Sequence, residues 1–600
     1  MRSRIATSCV LIALLLVGGQ LFGQSSPTAL NPSNPPAFQQ YAAPVSSRLA
    51  FMASEKGKQT LLSSPNSIAK TFLERYWGAD VAAQWDTTPH KYLPRESPSP
   101  APFRPQSNAV PRLGIRLASP TARCAATRFN LEPAANALPQ NDESIAFKFG
   151  GGSSTLADMA VEVSDDFRGL FLNPAVWSPG ISGYDYIDTA GCTPRVEGAT
   201  PPVPDPLHSG RNLVGAGDPI INYDSNHDAW FYSSLYLSPF EGGIGVFRNT
   251  TANLKSANCP SGTHNLTTAA SCWPKAVIVD ERNGSSYLDE PDSWVDTRAT
   301  GAGAGDVYIS DTVFSYAVST IDLVVCTNTL LSCSSPVTIS GADNAAQFSD
   351  IKTAANGTIT ITYGNFYSIT TATLPIYAVD IKYVVCTPNG APYAPTCNGP
   401  VLVATDYAPI VDGLASLIGV WNRTHPVHVE TSSGSYVFWE HCGSFSDLPS
   451  GSNTVCPDAD IVGSVNTGAG WSAPFVVDNA YGHQIQPWVT YDSGADKVVI
   501  AYQDCDSSGK TACRAGYRTI TPTTGGSETV SAFNPVSSYA YPQDEANNGS
   551  LPLFGDHIGA SAHDGHAWFG FTDTSRLGLY GYGSASINES NNNIAAWDNP

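Results

Sequence analysis

The sequence predicts an all-β protein, a β-propeller of four-stranded blades, and three observations support this prediction. A unit of two β-runs joined by a short acidic or small-residue turn recurs, beginning near residues 143, 218, 291, 350, 426, 486 and 556. Further β-runs lie between the copies, and the 600-residue chain is rich in glycine (52) and proline (45), which favours turns. Repeats of this length with few helices are typical of a propeller, in which radial closure leaves only short protected edges.

The copies differ in clarity but agree in the order of their parts. The clearest three pair residues 218–224 with 229–235, 486–492 with 497–504, and 556–559 with 566–573. A literal count predicts seven blades, and six is the alternative if the first and last copies complete one blade together. A parallel sheet would need helices between its strands, and a β-sandwich uses fewer copies than these. We therefore expect a propeller over residues 123–600.

Residues 1–23 have the features of a secretory signal peptide. Arg2 and Arg4 precede an apolar run at 5–17, and glycines follow at 18, 19 and 23, which is the charged, apolar and small-residue order of such leaders. The run is short for a membrane span, and no later stretch reaches the length that a bilayer requires. We expect a secreted protein without a membrane span, with the periplasm and the cell surface as alternative locations.

Residues 24–122 are rich in proline, serine and alanine, and most of this segment is typical of a linker. One short helix is expected within it, with Ser64 as N-cap and Pro65 in the first turn. The apolar residues that follow at helical spacing are Ile68, Phe72, Leu73, Tyr76 and Trp77. We expect this apolar stripe to dock on the propeller.

Twelve cysteines downstream of the leader fall into six pairs. The pairs are Cys124 with Cys192, Cys259 with Cys272, Cys326 with Cys333, Cys386 with Cys397, Cys442 with Cys456, and Cys505 with Cys513. An even number at such spacing indicates disulfide bonds formed in an oxidising compartment. Metal-binding pairs are the alternative, but no pair has the C-x-x-C spacing of zinc sites. The cysteines therefore predict structural disulfides that brace hairpin loops.

The net charge of the chain limits the classes of partner that it can bind. There are 31 basic and 52 acidic residues, with a net charge of -21. Such a chain repels nucleic acid and anionic membranes. We expect a monomer whose partner is an extracellular glycan or a protein.

Residues 464–471 (SVNTGAGW) resemble the Asp box, the S-x-D-x-G-x-x-W turn of sialidase-superfamily (BNR-repeat) propellers, with Asn466 in place of the aspartate. In that family the box is structural, and its polar side chain bonds main-chain groups of the turn. The resemblance implies that a catalytic member would have three carboxylate-binding arginines, a tyrosine paired with glutamate, and an aspartate. The nearest match to the family's Arg-Ile-Pro signature is Arg168, which Gly169 follows here, so the resemblance carries over no catalytic residue.

The candidate binding site is the mouth of the central channel, because the first strand of every blade lines that channel. The residues that open these strands are Glu143, Asp218, Asp292, Asp350, His428, Gln486 and Asp556, with His425, His483 and His557 beside them. Carboxylates in a ring suit calcium, and no other cofactor is expected. Two carboxylates across the channel would suit acid/base chemistry on a glycosidic bond. The structural alternative is that each residue caps a turn or bonds a neighbouring strand.

Three functions remain open at this point. The first is recognition of an extracellular glycan or other polymer at the axial face. The second is a glycoside hydrolase or lyase that uses the axial carboxylates, and the third is a scaffold that displays loops to a protein partner. His563 and His566 flank Asp564 and Gly565, a pattern that predicts a tight hairpin turn in preference to a metal site.

Overall fold

A computed structural model provides the coordinates. It describes residues 58–59, 61–62, 67–88, 128–130, 140–149, 157–166, 168–171, 175, 177–188, 193–238, 241–260, 265–283, 286–315, 318–370, 375–407, 424–442, 446–447, 454–455, 458–505, 513–523, 528–536, 558–563, 565–582 and 585–598. Among these residues, seven antiparallel sheets of four or five strands form the blades of a propeller.

Strand β1 (Arg128–Asn130) precedes the first blade. Blade 1 contains β2 (Gln140–Phe149), β3 (Ala157–Asp166), β4 (Ser182–Asp188) and β5 (Thr193–Ala199). Blade 2 contains β6 (Val203–Pro204), β7 (Asn212–Asp224), β8 (Ala229–Leu237), β9 (Glu241–Thr250) and β10 (Lys275–Asn283). Blade 3 contains β11 (Ser286–Val295), β12 (Val307–Ser315), β13 (Val318–Cys326) and β14 (Val337–Thr338).

Blade 4 contains β15 (Ala346–Thr353), β16 (Ile359–Thr370), β17 (Pro375–Thr387), β18 (Thr396–Cys397) and β19 (Val401–Tyr407). Blade 5 contains β20 (Val427–Glu430) and β21 (Ser435–Cys442), then a separate ribbon of β22 (Ser446–Asp447) and β23 (Thr454–Val455), then β24 (Ala459–Asn466) and β25 (Phe475–Asp478). Blade 6 contains β26 (His483–Asp492), β27 (Lys497–Cys505), β28 (Cys513–Thr521), β29 (Thr529–Val530) and β30 (Asn534–Pro535). Blade 7 contains β31 (Gly559–His563), β32 (His566–Tyr582) and β33 (Ala585–Asp598).

The blades close into a ring through their innermost strands. Strands β2, β7, β11, β15, β20, β26 and β31 contact one another in this order, and β31 contacts β2. Six blades are continuous in the sequence, whereas the seventh is composite, because β1 pairs with β33 (Phe129 opposite Ala595). The first copy of the repeat forms a sheet of its own, and β1 supplies the strand that completes the last sheet.

The core lies between neighbouring blades. Val437 and Trp439 of blade 5 pack with Ile381 of blade 4, and similar apolar clusters join blades 1 and 2, 3 and 4, 5 and 6, and 6 and 7. Because each sheet is covered on both faces, all nine residues of β8 are buried. This explains why its sequence (AWFYSSLYL) does not alternate between apolar and polar residues. Each fully buried Val, Leu or Phe stabilises the fold by about 1.5–3 kcal/mol.

Five helices have bounds within the described residues, and residues 58–59 and 61–62 are also helical. The five are α1 (Ser67–Trp77), α2 (Ala79–Trp85), α3 (Arg168–Phe171), α4 (Thr251–Leu254) and α5 (Leu266–Cys272). The expected helix is present as α1, although Ser64 and Pro65 lie outside the described residues. A second helix, α2, follows after Gly78 (φ 86°), and the sequence did not predict it. Phe72 and Leu73 belong to one apolar cluster with Phe231 of blade 2, as the docking expectation requires.

Four of the predicted disulfides are confirmed. Bonds join Cys259 to Cys272, Cys326 to Cys333, Cys386 to Cys397, and Cys505 to Cys513.

The other two predicted pairs are not fully described. Cys442 is disulfide-bonded, but its predicted partner, Cys456, lies outside the described residues. Cys192 directly precedes β5 and lies outside the described residues, as does Cys124. The predicted bond between Cys192 and Cys124 is therefore not among the disulfides of the described chain, and it stays a prediction.

No helix in the described part of the chain is long and apolar enough to cross a bilayer.

The turn at residues 464–471 is held by hydrogen bonds from its main chain to the side chain of Asn466. Asn466 Oδ1 accepts the main-chain N–H groups of Gly468 at 2.9 Å and Gly470 at 3.3 Å. Both glycines have positive φ (98° and 105°), which side-chain-bearing residues rarely adopt. Trp471 packs edge-on against Tyr383 of the preceding blade, with ring centroids 5.0 Å apart. The turn therefore joins blades 4 and 5.

Candidate functional site

A β-bulge recurs in the innermost strands. In five of these strands (β2, β7, β11, β15 and β26), two adjacent residues lie opposite a single residue of the partner strand. In four of the bulges the first of these two residues has positive φ; these residues are Asp218, Glu290, Phe348 and Gln486. A bulge bends its strand and changes the direction of its side chains. Here it places polar residues at corresponding positions of successive blades.

One axial pocket collects residues from five blades. It is lined by Ile220, Glu290, Pro291, Asp292, Ser349, Asp350, His425 and Trp488. These residues lie in or beside the bulges of β7, β11, β15 and β26, and just before β20. Two of the predicted site residues, Asp292 and Asp350, therefore share a pocket.

Asp350 joins blades 4 and 5. Its Oδ2 accepts the main-chain N–H of His428 at 2.6 Å, and the same oxygen lies 2.6 Å from Nδ1 of that histidine. Lys352 Nζ bonds the other oxygen. Burial opposes ionisation, but the charge of Lys352 and the hydrogen bonds from His428 and Lys352 outweigh it and hold the pKa of Asp350 well below its usual range. Asp350 is therefore ionised at neutral pH.

The pKa of Asp292 is raised, whereas that of Asp350 is lowered. Its Oδ2 accepts the main-chain N–H of Ile351 at 2.8 Å and lies 4.0 Å from Lys352 Nζ. Burial raises the pKa of Asp292 to about 7, against the opposing charge of Lys352 and with a contribution from the negative charge of Asp350. The pocket thus holds one carboxyl that is protonated in part at neutral pH beside one that is ionised.

Aromatic rings flank the lysine between these acids. Lys352 Nζ lies 4.9 Å from the ring centroid of Trp294 and 5.9 Å from that of Trp488. Both tryptophans are partly exposed. Asp292 and Trp294, like Asp350 and Lys352, are two residues apart on one strand and so lie on the same face. This period of two is the signal from which Lys352 and Trp294 could have been predicted.

His428 lies behind Asp350 and away from the pocket lining. It is fully buried, with Nε2 2.9 Å from Thr360 Oγ1 and Nδ1 3.2 Å from Thr362 Oγ1. Its contacts orient Asp350 and join two blades. His428 can therefore reach a ligand only through Asp350.

The other predicted residues are placed as follows. Asp218 and Gln486 are buried in their bulges, and their main-chain N–H groups donate to Asp165 Oδ1 (3.0 Å) and Glu440 Oε1 (2.6 Å) of the preceding blades. Glu143 is buried in the bulge of β2. His425 lines the pocket, whereas His483 is buried, and its Nδ1 accepts the N–H of Ala459. Asp556 and His557 lie outside the described residues.

A second group of acids lies beside the pocket. Asp218 of blade 2 and Asp289 and Glu290 of blade 3 are buried, and each offers one oxygen within 4.8 Å of the others. Carboxylate oxygens at this spacing suit a divalent cation such as calcium. Glu290 was not predicted, but a recurring X-Pro dipeptide marks it: Asp218-Pro219, Glu290-Pro291, His425-Pro426 and Gln486-Pro487.

Two motifs do not contribute to this pocket. Arg168 is buried and ion-paired to Asp166, and its guanidinium lies 3.9 Å from the ring centroid of Trp177. Such an arginine holds the fold together and does not present its charge to a ligand. His563 and His566 pair across the turn between β31 and β32, in which Gly565 has positive φ, so the predicted hairpin is confirmed.

Comparisons with known proteins find only distant structural neighbours. No family model matches the chain, and no curated protein matches it. Among solved structures, the chain is similar to polysaccharide lyase Uly1, with 8% identity over 77% of this chain and 91% of that one, at a TM-score of 0.40. It is also similar to an α-L-arabinofuranosidase from Fusarium graminearum in complex with an iminosugar inhibitor, with 10% identity over 68% and 96% of the two chains, at a TM-score of 0.35. Because the identities are this low and the TM-scores are below 0.5, we draw no conclusion from these similarities.

Proposed function

We propose that the protein is exported and binds an extracellular glycan at its axial pocket. The observation that carries this proposal is that Trp488 shares the pocket with Glu290 and Asp292. A partly exposed aromatic face offers an apolar surface to a sugar ring, and carboxylates accept bonds from its hydroxyl groups. The disulfides support export, because such bonds persist in oxidising compartments.

The proposal does not extend to sialic acid. The likeness to sialidase-superfamily propellers consists of the turn at residues 464–471, which is structural. Arg168, the nearest match to the family's arginine signature, is already neutralised by Asp166 and covered by Trp177. We therefore propose a glycan ligand without assigning sialidase specificity.

A glycoside hydrolase or lyase is the second candidate, and the contrast between Asp292 and Asp350 favours it. Two acids whose pKa values are moved in opposite directions are the usual arrangement for acid/base catalysis. In this reading Asp292 donates the proton, and Asp350 stays ionised beside it. Both oxygens of Asp350 already accept bonds from His428 and Lys352, so an attack by Asp350 would first break them. For this reason we place binding ahead of catalysis.

The test combines a glycan array, with and without calcium, with chromogenic glycosides and a lyase assay for unsaturated products. The variants are Trp488→Ala and Asp292→Asn, and Tyr393→Ala is the control because Tyr393 is 68% exposed and lies outside the pocket lining. We expect Trp488→Ala to weaken binding by about tenfold or more, whereas the control binds like the wild type.

The outcomes separate the candidates. Turnover that Asp292→Asn abolishes while binding persists would establish the enzyme. Binding without turnover supports the proposal as stated. If no glycan binds and none is cleaved, the proposal is wrong, and display of loops to a protein partner becomes the better explanation.

A further inference from the structure

A second polar cluster lies on blade 2, outside the axial pocket. Asp205 and His208 come from the loop between β6 and β7, Glu241 is the first residue of β9, and Glu281 is on β10. Asp205, His208 and Glu241 each offer one ligand atom, and the three atoms lie within 4.8 Å of one another. Three separate segments of the chain therefore bring these side chains together.

One oxygen of each carboxylate is anchored, and the other faces the histidine. Asp205 Oδ1 accepts the main-chain N–H of His208 at 2.6 Å, while Asp205 Oδ2 lies 3.4 Å from His208 Nδ1. Glu241 Oε2 accepts from the Ser238 hydroxyl, while Glu241 Oε1 lies 3.1 Å from the same nitrogen. Anchoring of this kind orients the ligands of a metal ion.

The side chain of Asp205 gives an independent indication of a ligand. It has no exposed area, and its Oδ2 accepts no hydrogen bond from any residue that the structure describes. A buried carboxylate oxygen without a donor is costly unless a cation satisfies it. The oxygen is directed at His208 and Glu241, at the centre of the cluster.

Glu281 adds a third carboxylate to the same place. Both of its carboxylate oxygens are closed to solvent. Glu281 on β10 pairs with Gly243 on β9, two residues beyond Glu241. A third carboxylate therefore adjoins the cluster.

We propose that Asp205, His208 and Glu241 bind a divalent metal ion that holds the 205–211 loop against β9. An imidazole nitrogen combined with carboxylate oxygens suits zinc or manganese better than calcium, which prefers oxygen ligands throughout. The site is separate from the axial acids Asp218, Asp289 and Glu290. The proposal of a metal ion at this site therefore does not depend on glycan binding at the axis.

The experiment uses the full chain stripped with a chelator. Its melting temperature is measured with ZnCl2, MnCl2 and CaCl2 in turn, and the zinc affinity and stoichiometry are measured by calorimetry. We expect zinc or manganese to raise the Tm by about 2 °C or more, with one ion bound per chain. Calcium should have a smaller effect on this site.

Two variants and one control make the assignment specific. His208→Ala alters a side chain that is 40% exposed, so the fold should survive, and zinc affinity should fall by about tenfold or more. Glu241→Gln should abolish the shift. The control is Glu290→Gln, which removes a potential ligand of the axial group and should leave the zinc shift unchanged.

Three results would overturn the proposal. The first is the absence of any shift with zinc or manganese, which would leave a protonated His208 as the partner of the two carboxylates. The second is a shift that His208→Ala and Glu241→Gln do not alter. The third is a shift that Glu290→Gln abolishes, since the ion would then bind at the axis.

Discussion

Asp350 Oδ2 lies 2.6 Å from His428 Nδ1 and also accepts the main-chain N–H of His428, so one oxygen of blade 4 is bonded twice by one residue of blade 5. Lys352 bonds the other oxygen, so the ionised side chain of Asp350 joins two neighbouring blades inside the ring. The same residue lines the axial pocket. The axial pocket and the junction between blades 4 and 5 therefore share one side chain.

Replacement of Asp350 by alanine should destabilise the propeller strongly. The change leaves Lys352 and His428 buried without their shared carboxylate, a situation that costs about 3–5 kcal/mol. Urea unfolding should show a lower midpoint with an unchanged m-value. Asp496→Asn, in the turn between β26 and β27, is the control and should have little effect. A midpoint for Asp350→Ala that equals the control's would contradict the role described for Asp350.

Because of Asp311, the fold should be more stable in mild acid than at neutral or alkaline pH. It is fully buried on β12, and burial, together with Asp280 and Asp322 and against Arg282, raises its pKa well above the usual range. The folded protein therefore retains this proton to a higher pH than the unfolded chain does. The stability from this group is fully present below the unfolded pKa and is lost as pH rises towards the folded pKa, by about 1.4 kcal/mol per pH unit.

Asp311→Asn removes this titration and provides the check. We expect the variant to be more stable than the wild type at pH 8 and similar to it near pH 4, in melting curves recorded across this range. Asp280, whose pKa burial raises to about 6, contributes in the same direction and remains in the variant. A wild-type advantage that grows with pH would show that the sign is wrong.

Loss of the Cys326–Cys333 disulfide should lower stability without changing the fold. The bond closes a short loop at the end of β13, with a sequence separation of 7. Replacement of both cysteines by alanine should lower the free energy of unfolding by about 2 kcal/mol. The effect is at the low end because a disulfide that closes a short loop restricts the unfolded chain least. Thermal unfolding measures the effect, and a thiol assay on the variant confirms that the other bonds are intact. An unchanged Tm would show that the strands alone hold this loop.

Asn466 should tolerate aspartate but not alanine. Its Oδ1 accepts two main-chain N–H groups of the turn that carries Trp471. Asn466→Ala removes the acceptor of both N–H groups and should lower the free energy of unfolding by about 1 kcal/mol. The loss is this small because the turn is exposed, so water can bond the two groups in part. Asn466→Asp retains an acceptor and should be close to the wild type in Tm. Equal melting of all three proteins would exclude a bonding role for this side chain.

Much of the architecture could be predicted from local patterns. The repeated β-runs, the hairpin at His563 and His566, and the four confirmed disulfides depend on residues near one another in the sequence, so spacing alone reveals them. The helix α2 was missed because its seven residues (ADVAAQW) are too few to show a helical period. A recurring X-Pro dipeptide marks Glu290 and a period of two marks Lys352, but neither pattern reveals the contacts between blades that bring these residues to the axis.

The sequence by itself determined the repeat, the pairing of nearby cysteines and the acidic character of the innermost strands. Only the tertiary structure decided that Asp292, Asp350 and Trp488 share one pocket while His428 lies behind it. Ring closure brings the innermost strands of all seven blades around one axis, and residues of five blades line the pocket. Each bulge changes the direction of the side chains that follow. Burial and neighbouring charges then move the pKa values of Asp292 and Asp350 in opposite directions, and these are properties of the assembled ring that no single repeat possesses.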